Sequence, residues 1–264
     1  MDLDGTRVVV TGASTGIGRV TALRLARKGA RVWAAARDQG RLESLAGEHA
    51  GIVPVPGDVS DDADRAALVK ETEPVDVLVN NAGLGWQGVV ESMPSEKVRQ
   101  LFEVNVLALI DLTQRVLPGM LERRHGHIVN VGSIAGYVAS PGETVYCATK
   151  YAVQGFTDGL RREVARRGVQ VTLIAPGPIK TEFMARIRTG EPAGEPGALD
   201  YGLPPESVAK AIVRALTRER VPGYQTITVP RIGGFSRIGS APVMTHATDL
   251  ATRGRARKAL SGED

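Results

Sequence analysis

The chain has a single cysteine, Cys147, so no disulfide can form within it. That suits a reducing compartment. Its 4 histidines, His49, His125, His127 and His246, fall at no metal-ligand spacing, and no metal site is expected. Aromatic residues make up only 4%, so the core must be built from aliphatic side chains and alanine. No apolar run approaches the roughly 18 residues that a membrane span needs. The start, Met1-Asp2-Leu3-Asp4, has neither the basic region nor the apolar stretch of a secretory signal. These absences together predict a cytoplasmic protein.

The net charge is only +4. Part of it lies near the end, at Arg253, Arg255, Arg257 and Lys258, where no aromatic side chains interleave to stack on bases. A solvated tail is a simpler reading than a nucleic-acid arm. At 264 residues the chain is long enough for one or two domains. No repeat or linker divides it, and one domain over 1–264 is expected.

Short β-branched runs alternate with longer segments rich in alanine and leucine. Candidate strands are Arg7–Thr11, Arg31–Ala36, Ile52–Pro56, Val75–Val79, His127–Gly132, Gln170–Ala175 and Gln225–Val229. Their apolar stretches are continuous, as in strands covered on both faces. Candidate helices are Gly16–Lys28, Arg41–Gly47, Asp62–Thr72, Ser95–Leu117, Tyr146–Arg167 and Pro205–Arg218, with Gly29 placed to end the first and Pro205 to begin the last. Such alternation predicts an α/β fold: a doubly wound parallel sheet of about seven strands with helices on both faces. Two stretches break the pattern. Residues 181–204 are rich in glycine and proline and predict a substrate lid, and 231–264 predict an irregular tail.

The first strand runs into Thr11-Gly12-Ala13-Ser14-Thr15-Gly16-Ile17-Gly18. Glycines between a strand and a helix start let the backbone approach a pyrophosphate, and the helix offers its free N–H groups. No Gly-Lys-Ser/Thr follows, so it is not a P-loop. Tyr146 and Lys150 are one helical turn apart, on one face. A cation there favours the phenolate and should lower the tyrosine's pKa. Ser133 sits just past a strand, where a hydroxyl can hold a substrate carbonyl against Tyr146. Cys147 reads as a small packing residue.

The Thr-Gly-x-x-x-Gly-x-Gly pattern, Asp58-Val59, Asn80-Asn81-Ala82-Gly83, Asn105, Ser133, Tyr146-x-x-x-Lys150 and Pro176-Gly177 together resemble the short-chain dehydrogenase/reductase family, in its order and spacing over roughly residues 5 to 182. The resemblance implies a Rossmann-like fold and an oxidoreductase that interconverts a carbonyl and an alcohol. It implies that Gly12, Gly16, Ile17 and Gly18 hold the pyrophosphate end of a dinucleotide, with the hydroxyls of Ser14 and Thr15 near a 2′-phosphate. Asp58 and Val59 would line its adenine pocket, and Asn81, Ala82 and Gly83 would face the adenosine ribose. Pro176, Gly177, Ile179 and Thr181 would fix the nicotinamide. Ser133, Tyr146, Lys150 and Asn105 would be catalytic, Tyr146 and Lys150 also contacting the cofactor, Lys150 at the nicotinamide ribose, and Asn105 holding a relay water. Asn81 and its neighbours could equally serve a turn, and Asn105 could be a satisfied core residue.

The cofactor is expected to be NADP(H). The second strand closes on Ala36, where an acidic residue would accept from a ribose 2′-hydroxyl, and Arg37 follows, whose guanidinium suits a 2′-phosphate. Asp38 competes for that position but reads better as a helix cap. Trp86, Val90, Ile134, Val138, Phe183, Met184 and Tyr201 are candidate pocket residues, mostly apolar, which favours an alkyl or aromatic ketone or aldehyde as the small-molecule substrate. Two rival functions keep the fold: a cofactor-binding protein without turnover, and a dehydratase or epimerase. After Val229 the chain reads Pro230-Arg231-Ile232-Gly233-Gly234, without the Val-Asp-Gly-Gly ending common in tetrameric relatives. A homodimer through the helices at 95–117 and 146–167 is the expected assembly, rather than a tetramer.

Overall fold

A computed structural model describes residues 1–140, 142–183, 202–217 and 226–229. Met184, Tyr201, most of the 181–204 stretch and the 231–264 tail lie outside the described residues. The elements run β1 (Arg7–Thr11), α1 (Gly16–Ala26), β2 (Arg31–Ala36), α2 (Gln39–Gly47), β3 (Ile52–Pro56), α3 (Asp62–Thr72), β4 (Val77–Asn80), α4 (Ser95–Phe102), α5 (Ala108–Glu122), β5 (Gly126–Val131), α6 (Thr144–Glu163), β6 (Val169–Pro176), α7 (Pro205–Thr217) and β7 (Thr226–Val229).

The seven strands form one parallel sheet in the order β3-β2-β1-β4-β5-β6-β7. Its winding reverses between β1 and β4. Chains leaving those two strands diverge, and a crevice opens beyond their carboxyl ends. The continuous apolar strands are explained by cover on both sides. Val8 and Val10 of β1 join the core formed with Leu25 of α1, Leu42 of α2 and Ile212 of α7. Val9, between them, joins the opposite core with Leu68 of α3, Leu112 of α5 and Leu160 of α6.

The predicted helix over 95–117 differs in form. It is α4, then a π-helical segment at Glu103–Leu107, then α5, which continues past Pro118 to Glu122. Asn105 explains the break. Its side chain is turned inward onto the loop after β4, and a wider turn accommodates that without ending the helix. By length and composition Ser95–Glu122 could cross a membrane. It is instead packed against the sheet through Leu112, Val116 and Met120, and Asp111 within it is ion-paired to Arg65 at 2.6 Å. The helix carrying Tyr146 begins at Thr144 and ends at Glu163, earlier at both ends than predicted.

The carboxyl ends of β4 and β5 are tied to α5 and α6 by a buried polar chain. Asn80 Nδ2 donates to Asn130 Oδ1 (3.0 Å) and Thr113 Oγ1 (3.3 Å), and Asn130 Nδ2 donates to Thr157 Oγ1 (2.9 Å). Amide and hydroxyl groups this deep need partners, and these have them except for Asn80 Oδ1, which is buried without one among the described residues. Their pairing fixes the register of α6 on β5, and hence where Tyr146 and Lys150 stand.

Candidate active site

Segments leaving β1 to β6 surround one cavity of about 1040 Å³. Its floor is the turn after β1. Gly12 has φ +65, which side chains with a Cβ rarely adopt, and a Cβ there would stand 2.9 Å from Ala82 Cα. At Gly18 a Cβ would collide with the Gly12 carbonyl oxygen. The glycines therefore serve close backbone packing as well as approach by a ligand. Gly12, Ser14, Thr15, Gly16 and Ile17 line the cavity at the start of α1, a place suited to a pyrophosphate, while Gly18 is buried behind them and does not line it.

Asp58, Val59, Asn81, Ala82, Gly83, Pro176, Gly177, Ile179 and Thr181 all line the same cavity. Asn81 has a structural duty beside this. Its Nδ2 donates to the carbonyls of Thr11 (2.9 Å) and Gly12 (3.3 Å). The Thr11 hydroxyl accepts from the backbone N–H of both Asn81 and Ala82, each at 3.0 Å. Together they stitch the ends of β1 and β4 at the switch point. Thr11 was not singled out in the sequence, although a hydroxyl closing the strand before the glycines was the available signal.

Beside the turn after β1, β2 closes on Ala36, and Arg37 leads into the cavity. Asp38 caps α2, accepting from Arg41 N–H at 3.0 Å. Arg37 Nη1 stands 3.7 Å from Asp58 Oδ2. Burial alone would raise the Asp58 pKa, but hydrogen bonds from the Ser60 N–H and hydroxyl and the charge of Arg37 outweigh it and hold the carboxyl below its ordinary value.

At the other end, Ser133 follows β5 and caps a 3₁₀ turn at Ile134–Gly136, its Oγ accepting from Ala135 N–H at 3.1 Å. That turn packs on α6 so closely that a Cβ at Gly136 would lie 2.7 Å from the Lys150 carbonyl oxygen. Tyr146 is buried against Ala135, Cys147 and Phe183. Lys150 is also buried, its Nζ 5.7 Å from the Tyr146 ring centroid and donating to the Val131 carbonyl at 3.2 Å. The expected lowering of the tyrosine's pKa by Lys150 does not appear. Burial dominates and pushes the phenol well above its ordinary value, and a hydrogen bond with Ser133 opposes this only in part. Burial likewise lowers Lys150 to about 8, so the ammonium is itself a reluctant cation. Without a bound partner the tyrosine is thus held as a protonated phenol, ready to donate.

Asn105 does not touch Tyr146 or Lys150 through its hydrogen bonds. Its Oδ1 accepts from Leu84 N–H (2.7 Å), and its Nδ2 donates to the Leu84 carbonyl (2.9 Å) and to Thr149 Oγ1 (3.0 Å). It clamps the loop after β4 to α6, so the satisfied-core reading accounts for its side chain. Asn105→Ala should strand the part-buried N–H and carbonyl of Leu84, at a cost of up to about 1–3 kcal/mol for each group that water does not reach. A clear fall in the thermal or urea midpoint is expected; a midpoint equal to wild type would mean that the loop is held elsewhere.

Trp86, Ile134, Val138 and Phe183 line the substrate end, while Val90 is exposed and does not. The walls there are less apolar than the sequence implied, because Lys97, Gln100, Ser140 and Glu143 also line them. These four lie on helix starts and loops with no motif of their own, so their convergence became visible only in three dimensions.

A chain wound this way, with a glycine cradle and a hydroxyl, phenol and ammonium at one crevice, is an α/β oxidoreductase of the dinucleotide-binding kind. It matches the family described as short chain dehydrogenase over residues 6–192, and it belongs to that family. It is 38% identical over 229 residues to dehydrogenase/reductase SDR family member 11 of Bos taurus, covering 79% of this chain and 89% of that one. It is 35% identical over 218 residues to an uncharacterized oxidoreductase of Staphylococcus saprophyticus, again covering 79% and 89%. Among solved structures, serine dehydrogenase in a closed form with NADP+ is 33% identical, with a TM-score of 0.78 over 84% of this chain and 93% of that chain. A 3-ketoacyl-(acyl-carrier-protein) reductase of Brucella melitensis complexed with NADH is 28% identical, with a TM-score of 0.77 over 86% and 97%.

Proposed function

We propose that this protein is an NADP(H)-dependent oxidoreductase that interconverts a small-molecule carbonyl and the corresponding alcohol. One observation carries the reading: Ser133, Tyr146 and Lys150 meet at one end of a cavity whose other end is the glycine cradle with Arg37 beside it. The bound dinucleotide supplies or accepts the hydride. The protein's part is positioning and proton transfer.

In the reducing direction the Ser133 hydroxyl hydrogen-bonds the substrate carbonyl oxygen and holds it against the Tyr146 hydroxyl. Tyr146 then gives its proton to that oxygen as negative charge develops there. The raised pKa of the phenol suits a donor that must stay protonated until that moment. Lys150, one turn along α6, would bind the nicotinamide ribose and so tie the cofactor to the helix that carries Tyr146. The Ile179 backbone and Thr181 would hold the nicotinamide end. Binding of NADP+ by serine dehydrogenase supports the cofactor choice; the Brucella reductase is complexed with NADH, so the choice made here rests on Arg37 and on the missing carboxylate at Ala36.

The test is NADPH oxidation followed at 340 nm against a panel of ketones and aldehydes, apolar and polar, with the reverse reaction run on alcohols. Turnover of at least one carbonyl that is lost in Ser133→Ala supports the reading. Tight cofactor binding with no turnover on any member would favour a binding protein instead.

A further inference from the structure

Two loops meet at the substrate end of the cavity, one after β4 and one after β5. The Gly88 N–H donates to the Gly142 carbonyl at 2.8 Å and ties them together. The tie brings the stretch that carries Trp86 beside the one that carries Glu143, and both residues line the cavity. Glu143 is half-buried and directly precedes α6. The Cys147 N–H donates to its carbonyl at 2.8 Å, so Glu143 already belongs to the first turn. Residues three apart on a helix share a face, and their side chains lean back towards the N-terminus. The Tyr146 phenol therefore leans towards Glu143.

The Glu143 carboxylate is uncommitted. It does not cap the helix, and among the described residues no hydrogen bond or ion pair engages it. Its charge is nonetheless felt at Tyr146: after burial, which dominates, it is a further influence that keeps the phenol protonated. A lone carboxylate there opposes the reaction, since it repels the phenolate that forms when Tyr146 gives up its proton. A cation bound beside it removes that opposition. The neighbouring aromatic side chain suits the same ligand. Trp86 Nε1 is buried without a partner among the described residues, and a Cβ on Gly88 would lie 3.0 Å from it. With its N–H turned into the protein, the indole offers the cavity ring carbon only. A tryptophan ring attracts cations through its π-electrons, and a carboxylate near it attracts them through its charge. The opposite charge at this end, Lys97 on α4, is exposed and donates to Gln100 at 3.0 Å.

We infer that Glu143 and Trp86 form a subsite for a cationic amine, so that the substrate is a carbonyl compound with an ammonium group a few bonds from the reacting carbon. The inference rests on the carbonyl reading above and deepens it. Glu143 and Tyr146 are separated by about 5 Å along the axis of α6. A short carbon chain spans that distance when Ser133 and Tyr146 hold the carbonyl oxygen.

Steady-state reduction by the full chain with NADPH tests this on ketones matched in size: aminoacetone, hydroxyacetone, butanone and acetoacetate. Ammonium ketones of longer spacing are run beside aminoacetone. The best ammonium ketone should exceed butanone in kcat/KM by about tenfold or more, the scale of a charge-assisted contact. For variants the readout is the ratio of those two kcat/KM values, which a general loss of activity or of folded protein does not move. Glu143→Gln should lower the ratio about tenfold, and Trp86→Leu about threefold, as loss of a cation–π contact does. Glu143→Lys should invert the order in favour of acetoacetate. A thermal melt verifies that each variant is folded. The inference is overturned, and the carbonyl reading left standing, by any of three results: a wild type that reduces neutral ketones at least as well as ammonium ketones, a wild type that reduces acetoacetate best through Lys97, or a Glu143→Gln variant with an unmoved ratio. No turnover of any carbonyl, in this series or in the wider panel, would remove that reading and the inference with it.

Discussion

Tyr146→Phe should abolish carbonyl reduction, lowering kcat by at least about two orders of magnitude, the usual scale for a positioned acid. The ring itself is retained. Its contacts with Ala135, Cys147 and Phe183 survive, so the fold and the thermal midpoint should change little. What disappears is the one hydroxyl that stands beside Ser133 at the end of the cavity. Because the lost group acts on the substrate oxygen and not on the cradle, cofactor affinity should stay close to wild type. A kcat/KM for NADPH oxidation and a cofactor titration on the same preparation separate these effects. Near-native turnover in Tyr146→Phe would mean that another group supplies the proton and that the assignment of Tyr146 is wrong. A loss of both turnover and cofactor binding would point to a collapsed site.

The fold and the line of the crevice were legible in the sequence because they follow from local pattern. Uninterrupted apolar strands such as Val8-Val9-Val10 require cover on two faces, and the sheet supplies it from α1, α2 and α7 on one side and α3, α5 and α6 on the other. The cap at Asp38, the glycine cradle and the position of Ser133 after β5 are likewise short-range features. What pattern could not give was burial. The spacing of Tyr146 and Lys150 implied a lowered phenol pKa, but both groups are so far removed from water that desolvation decides the sign for each. Nor could it give long-range pairing. The partners of Asn105 lie 21 and 44 residues away, and Glu182 meets Arg41 across 141 positions. The π-helical turn at Glu103–Leu107 belongs with these, since an inward-turned Asn105 alters the helix only once the loop after β4 is there to receive it.

Arg37→Ala combined with Ala36→Asp should reverse the cofactor preference. Arg37 enters the cavity directly after β2, and its guanidinium can hold a 2′-phosphate through two charge-assisted hydrogen bonds. Each such bond is worth about 1.5–3 kcal/mol, so Arg37→Ala alone should raise the KM for NADPH about tenfold or more and move that for NADH far less. Removing the arginine does not strand its partner, because Asp58 keeps the N–H and hydroxyl of Ser60. Ala36 closes β2 at the rim of the same cavity. A carboxylate there would accept from a ribose 2′-hydroxyl and repel a 2′-phosphate, so the two changes act on opposite sides of the ratio. The kcat values should stay comparable for the favoured cofactor, since Ser133, Tyr146 and Lys150 lie at the far end. The measurement is kcat/KM for NADPH and NADH in wild type, each single variant and the double variant. Wild-type values equal for the two cofactors, or an Arg37→Ala variant that discriminates as the wild type does, would show that the 2′-position is read elsewhere.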